Sequence, residues 1–241
     1  MIQLFKRFLL RKGIKENHFM TQFYEFKTAD VSKRFQMEVE DLYPCLNDNT
    51  AETGFDAHYV YHPAWAARIV KKINPKKHID ISSTLHFCSI LSAFIAVDFY
   101  DFRTAPLNLD NLNSLKGDLM NLDLGDNSIE SISCMHTIEH IGLGRYGDTI
   151  DPDGDLKALQ ELKRVCAING NLLIVVPVGV PKIAFNAHRI YDPGSIISYM
   201  SGFKLNEFAL VTDANEFVKN ASLELGKSQN YGCGCFWFIK E

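Results

Sequence analysis

The run Leu172-Leu173-Ile174-Val175-Val176 constrains this chain more than any other segment. It has no polar position, so a strand formed here must be covered on both faces. Such strands belong to mostly parallel sheets with helices on both sides. The rest of the sequence supplies the matching alternation. Trp65, Ile69 and Ile73 follow Pro63 at a spacing of four, which predicts a helix opening at Pro63 and stopping at Asn74-Pro75. His78 to Ile81 predicts a short strand running into a turn at Ser82-Ser83. Phe87, Ile90, Leu91, Phe94 and Ile95 then trace one helix face. Ala96–Tyr100 predicts a second strand ending at Asp101, and a third runs into Gly117-Asp118. A fourth, Ile129 to Cys134, reaches His136. Leu156, Leu159, Leu162 and Val165 mark a helix with Asp155 as its cap, and Phe236–Ile239 a late strand. The expected class is α/β.

With 241 residues, 46% of them hydrophobic, the chain can bury a full core without staples. The sequence divides into an irregular N-terminal extension over 1–62 and a domain over 63–241. Within the extension, His58, Tyr59, Tyr61 and His62 are candidates for closing a site. The formal net charge of −4 offers no basic excess, so nucleic acid is not an expected partner. Six cysteines are scattered through apolar segments and read as free thiols of a reducing, cytoplasmic compartment. Cys233-x-Cys235 lacks a second ligand pair nearby in sequence, and no metal is expected there. No stretch of ~18 apolar residues predicts a membrane span. The start mixes Leu4, Phe5, Phe8, Leu9 and Leu10 with Lys6, Arg7, Arg11, Lys12 and Lys15. Residues 1–15 therefore fit a helix docked on the domain or a peripheral contact with an anionic membrane.

In sheets of this kind ligands bind beyond the carboxyl ends of the strands. The residues that follow the strands are thus the candidates: Asp80 to Ser83, Asp101 to Arg103, Asp118-Leu119, His136 to His140 and Pro177 to Gly179. Asp80 and Asp101 are one strand-helix-strand unit apart, and an acid at the second strand end can accept from both ribose hydroxyls of a nucleoside. Asp118 is placed to take an adenine amino group. This order resembles the class I S-adenosylmethionine-dependent methyltransferases over about residues 76–241. The resemblance implies a Rossmann-like methyltransferase fold with an N-terminal helical extension and S-adenosylmethionine as cofactor. Its binding set would be Asp80, Ser82, Ser83, His86, Asp101, Arg103, Asp118, Leu119 and His136. The loop after Asp80 reads Ile81-Ser82-Ser83-Thr84-Leu85-His86 and contains no glycine, where the family is glycine-rich. Ser82 and Ser83 hydroxyls would have to reach the cofactor carboxylate instead. The alternative is a fold kept without its cofactor.

Glu139 to Asp155 and Phe185 to Pro193 further resemble a methyltransferase-like family of unknown function that accompanies surface-polysaccharide biosynthesis. That resemblance implies O-methylation of a sugar or activated sugar, or else a non-catalytic module of a glycan-assembly complex. Proton removal from an acceptor hydroxyl near neutral pH suits a histidine. His140 is the first candidate base and His188 the second, with Asp148 grouped beside them. Arg145 and Arg189 would hold an anionic acceptor, with Glu139 and Tyr146 also in the acceptor site. Arg145, Tyr146 and Asp148 could equally serve only to pin their own loop. Two metal patterns compete. His136-Thr137-Ile138-Glu139-His140 matches an inverted zinc-protease motif, which needs both histidines on one continuous helix. Asp151 to Asp155 resembles part of a calcium loop, but Leu162 stands at the twelfth position. Neither predicts a metal.

Overall fold

The computed structural model describes residues 16–241. The basic start over 1–15, with its membrane or docking role, lies outside the described residues. The chain forms two compact units, one ending at Gly54 and one spanning Phe55–Glu241. In the first, helix α1 (Glu16–Ala29) is followed by irregular chain and a 3-10 turn at Val39–Asp41. Lys27, in the last turn of α1, donates to the Met37 carbonyl at 3.1 Å.

The second unit opens with α2 (Ala57–Ile73). The helix therefore starts six residues before Pro63, and the unit boundary falls at 54/55 rather than 62/63. The reason is local: Asp56 caps the helix by accepting from Tyr59 N–H at 3.2 Å. Pro63 sits inside the helix and costs it one hydrogen bond. His58, Tyr59, Tyr61 and His62 thus belong to the folded domain.

The main sheet has eight strands: β1 (Lys77–Ile81), β2 (Ala96–Asp101), β3 (Leu112–Lys116), β4 (Ile129–Met135), β5 (Cys166–Val178), β8 (Phe203–Val211), β9 (Phe217–Val218) and β10 (Gly232–Lys240). Their order is β3-β2-β1-β4-β5-β10-β8-β9. The first five are parallel, and β10 inserts antiparallel between β5 and β8. A separate two-stranded ribbon joins β6 (Lys182–Ala184) to β7 (His188–Ile190). The remaining helices are α3 (Leu85–Leu91), α4 (Gly154–Val165), α5 (Pro193–Tyr199) and α6 (Leu223–Lys227). Helix α3 is shorter than its apolar pattern, which runs on to Ile95.

Period-two alternation splits the core between the two faces of the sheet. Ile79, Ile81, Leu172, Ile174 and Val176 pack with Leu159 and Leu162 of α4 on one face. Val97, Phe99, Leu173, Val175, Cys233, Cys235 and Trp237 pack with Trp65, Ile69, Phe87 and Leu91 on the other. The run that predicted a doubly covered strand is covered on both sides, with Leu172 to Val176 at most 1% exposed. Asp155 is not the cap of α4. It is buried inside the first turn, where it accepts from the Tyr191 hydroxyl at 2.9 Å.

Candidate active site

The segments that follow β1, β2, β3 and β4 line one cavity of about 140 Å³. A wider cleft of about 500 Å³ shares Ser82, His140 and Tyr146 with it and extends to His188, Tyr59 and Tyr231. This is the carboxyl end of the parallel strands, where the fold binds ligands.

At the end of β1 the backbone turns left-handed at Ser82, with φ of +53°. A non-glycine residue thus takes the conformation that glycine adopts without strain. Neighbouring groups hold it there. Thr137 Oγ1 donates to the Ser82 carbonyl at 3.0 Å, and Ser82 Oγ donates to the Tyr100 carbonyl at 3.2 Å. Ser83 Oγ accepts from Met135 N–H at 3.1 Å and donates to Asp80. Both hydroxyls expected to reach a cofactor carboxylate are therefore committed to the fold. Asp80 itself lies inside β1, fully buried, and does not line the cleft. It accepts from Ser133 Oγ at 2.6 Å. Ser133 Oγ in turn lies 2.9 Å from His78 Nε2, whose Nδ1 meets Ser131 Oγ at 2.7 Å. Burial pushes the Asp80 carboxyl up to about 7 and the His78 imidazole down to about 3. Asp80 supports the turn rather than touching a ligand.

Asp101 ends β2, and its Oδ1 accepts from Arg103 N–H at 2.7 Å. Phe102 is 46% exposed beside it and lines the smaller cavity with Gly117, Asp118 and Leu119. Asp118 Oδ1 accepts from Met120 N–H at 2.9 Å. Arg103 places its guanidinium 4.5 Å from the centre of the Tyr146 ring, joining the β2 end to the loop after β4. His86 departs from expectation: it is exposed on α3 and faces the apolar groove against α2, outside the cleft.

After β4, His136 also takes a left-handed backbone, with φ of +56°. A 3-10 turn, Ile138–His140, follows. The inverted-protease motif thus has no continuous helix beneath it. Glu139 is 1% exposed, and its Oε1 lies 2.8 Å from His136 Nδ1 and 3.8 Å from His140 Nε2. It lines the cleft and lies against two of its histidines. His140 Nδ1 lies 2.6 Å from the Ala187 carbonyl. A carbonyl only accepts, so this bond fixes the Nδ1–H tautomer and leaves Nε2 with a lone pair. That geometry keeps His140 competent as a base. His188, on β7, lines the same cleft, with its ring 4.9 Å from that of Tyr231. Burial lowers its pKa, with Glu139 opposing.

The loop between Ile141 and Asp151 is built around Asp148. Its carboxylate accepts from the N–H groups of Gly142 at 2.9 Å, Gly144 at 3.3 Å and Tyr146 at 3.1 Å. Partial burial would raise its pKa, but these backbone donors outweigh it and hold the carboxyl below its ordinary value. A carboxylate so engaged is a loop pin and a poor base, which corrects the catalytic expectation. Glycine is required at Gly142, where φ is +80° and a Cβ would lie 2.0 Å from the Asp151 carbonyl oxygen. Arg189 is a second correction. It is 5% exposed and clamps the loop from beneath, donating to the Ile141 carbonyl at 2.7 Å and the Pro152 carbonyl at 3.1 Å. Arg145 is exposed in the cleft, donating to the Ala187 carbonyl at 3.1 Å and lying 5.1 Å from the Tyr146 ring centre. Of the expected acceptor residues, the structure brings Glu139, Arg145 and Tyr146 to the cleft.

The floor beyond His136 was not assembled by sequence reasoning. His58 stacks on His136 with ring centres 5.8 Å apart and on Tyr231 at 5.4 Å. His62 meets His136 edge-on at 5.0 Å. Tyr59 lines the cleft, whereas Tyr61 stacks on Phe217 away from it. Burial and the neighbouring His136 push His62 down to about 2, so it is neutral. Burial, Glu139 and Tyr59 push Tyr231 up to about 12. Cys233 is fully buried at the same place.

A family model described as Caenorhabditis protein of unknown function, DUF268, matches residues 118–230. No curated protein matches the chain. Solved structures do. A putative methyltransferase from Bacillus halodurans C-125 superposes with a TM-score of 0.53 at 14% identity, covering 74% of this chain and 98% of its own. The Burkholderia thailandensis 1,6-didemethyltoxoflavin-N1-methyltransferase, solved with S-adenosylhomocysteine, gives 0.54 at 12% identity over 75% and 78%. A putative sarcosine dimethylglycine methyltransferase from Galdieria sulphuraria gives 0.53 at 16% over 74% and 84%. At these identities the likeness is one of fold, and the chain has the Rossmann-like fold of these methyltransferases.

Proposed function

We propose that the protein is an S-adenosylmethionine-dependent methyltransferase that methylates a hydroxyl of a sugar or activated sugar. The observation that carries this reading is the convergence of four strand ends on one cavity that His140 also lines. The fold likeness supports it, since one similar structure holds S-adenosylhomocysteine. The residues present fit the cofactor in part. Asp101, at the end of β2, would hold the ribose hydroxyls, and the cavity lined by Phe102, Gly117, Asp118, Leu119 and Asp148 would take the adenine. The turn after β1 fits less well, because its hydroxyls are engaged internally.

The bound cofactor would supply an electrophilic methyl group. The chain would align the acceptor hydroxyl and take its proton, and alignment alone contributes much of such rates. His140 Nε2 would accept the proton, and the Glu139 carboxylate 3.8 Å away would stabilise the resulting imidazolium. Arg145, exposed at the rim, suits a phosphate on an activated sugar. Six free cysteines fit an enzyme of a reducing compartment.

The committed serine hydroxyls favour one second reading, a methyltransferase-like module without catalysis. A thermal melt with S-adenosylhomocysteine separates the two. At about a hundred times its dissociation constant the ligand stabilises by about 2.7 kcal/mol. For a domain of this size that is on the order of 5–10 °C, and Asp101→Ala should abolish it. No shift at saturating ligand would select the second reading.

A further inference from the structure

The floor of the cleft holds three side chains that no step of the proposed methyl transfer uses. A ligand atom from each of His58, His136 and Cys233 lies within 4.8 Å of the other two. They come from three elements remote in sequence: α2, the turn after β4, and β10. We propose that His58, His136 and Cys233 bind a zinc-class divalent transition metal, with Glu139 orienting His136 as a ligand. The inference does not rest on the methyltransferase reading.

Four observations support it. First, His136 is 8% exposed, and its Nε2 is buried without a hydrogen-bond partner. Its Nδ1 faces the Glu139 carboxylate at 2.8 Å, which fixes the proton on Nδ1 and leaves a lone pair on the orphaned nitrogen. A buried lone pair without a donor is costly, and a cation satisfies it. Second, carboxylate–histidine–metal is the arrangement by which ligating histidines are oriented and made more basic. Third, two imidazoles and one thiol are a donor set that suits zinc, while magnesium and calcium prefer oxygens. Fourth, His136 holds a left-handed backbone, a strained conformation of the kind that clusters at functional sites.

Ligand atoms within 4.8 Å of one another need only a small closure to hold an ion. Tetrahedral zinc, with bonds of about 2.0–2.3 Å, needs ligand atoms about 3.3–3.7 Å apart. A contraction of about 1 Å is within reach of side-chain rotation. Binding would replace the Cys233 thiol proton, which leaves to solvent, by the metal. Three protein ligands leave a fourth position, and His136 lines the cleft. The fourth ligand would then be water or an oxygen of a molecule in the cleft. His62 Nε2 is also buried and unpartnered, and its ring meets that of His136 edge-on at 5.0 Å.

Titration of the folded, metal-free full chain with Co²⁺ tests this directly, because a thiolate ligand gives an intense charge-transfer band in the near ultraviolet. The expected result is a band saturating at about one equivalent and bleached by Zn²⁺. Cys233→Ser should abolish the band, and Cys235→Ser should keep it. Glu139→Gln should weaken cobalt binding by about 10–100-fold. Should Cys233→Ser fail to fold, His136→Gln should still reduce affinity at least tenfold with the band's sulfur character retained. Absence of a charge-transfer band in the folded wild-type chain, or a band that depends on Cys235 instead of Cys233, would overturn the proposal.

Discussion

His136 Nδ1 and Glu139 Oε1 meet at 2.8 Å, with both side chains almost wholly buried. They are three residues apart, and the 3-10 turn between them brings the carboxylate back under the ring. A hydrogen bond to a charged group contributes about 1.5–3 kcal/mol. Glu139→Ala should therefore lower stability by that amount in urea unfolding with a chelator present. Glu139→Gln, which keeps an acceptor, should lose less. Equal losses for both variants would show that charge, not the acceptor, matters.

Asp80 and His78 titrate in opposite senses. Burial raises the Asp80 carboxyl from its ordinary 3.8 to about 7 in the folded state. The folded state therefore prefers the protonated acid. Its contribution is most favourable below about pH 4 and is lost as pH rises toward 7. Burial lowers His78 to about 3 and His62 to about 2, so their contributions are present above about pH 6.5 and lost as pH falls. Between about pH 4 and 6.5 the two histidines outweigh the one acid, and stability should rise with pH. Asp80→Asn should steepen that rise, and its stability relative to the native chain should grow from pH 4.5 to 8. A difference that does not change over this range would show that Asp80 ionises normally.

Ser82 occupies a left-handed position without being glycine. A left-handed residue with a Cβ costs about 1–2 kcal/mol, and glycine relieves this at an entropic cost of about 0.5–1 kcal/mol. Ser82→Gly should thus be neutral or stabilising by up to about 1 kcal/mol. Ser82→Val, β-branched and without a hydroxyl for the Tyr100 carbonyl, should destabilise by about 2 kcal/mol. Calorimetry of the two variants checks the order. If glycine there also enlarges the response to S-adenosylhomocysteine, the serine turn is what limits cofactor binding.

The strand order was legible because its signals are local. Leu172–Val176 could only be a strand covered on both faces, and the β1-α3-β2 unit followed from spacing. Pro63 misplaced the start of α2, because a proline suited to a first turn hid the weaker capping signal of Asp56. Loop roles were half legible. Asp148 and Arg189 have the chemistry of site residues, and only the backbone around them shows that it is spent on the loop. The His58–His136–Cys233 cluster had no spacing signal, since 175 positions separate the first residue from the last. Sheet topology makes it: β10 runs beside β5 with Cys233 opposite Pro177, while His136 N–H bonds to the Val175 carbonyl from the other side.

His140 is the group whose replacement should separate chemistry from folding. Its Nδ1–H is engaged by the Ala187 carbonyl, so the proton-accepting atom is Nε2. His140→Asn keeps a donor for Ala187 and removes the base. With an acceptor in hand, the turnover rate should fall by about 10²–10⁴-fold, the range that a positioned base contributes. Unfolding should change little. Arg145→Ala should instead raise KM for a phosphorylated acceptor while leaving kcat within a few-fold, because a rim cation binds ground and transition states alike. A rate unchanged in His140→Asn but lost in His188→Ala would move the base across the cleft to β7, where His188 faces Tyr231.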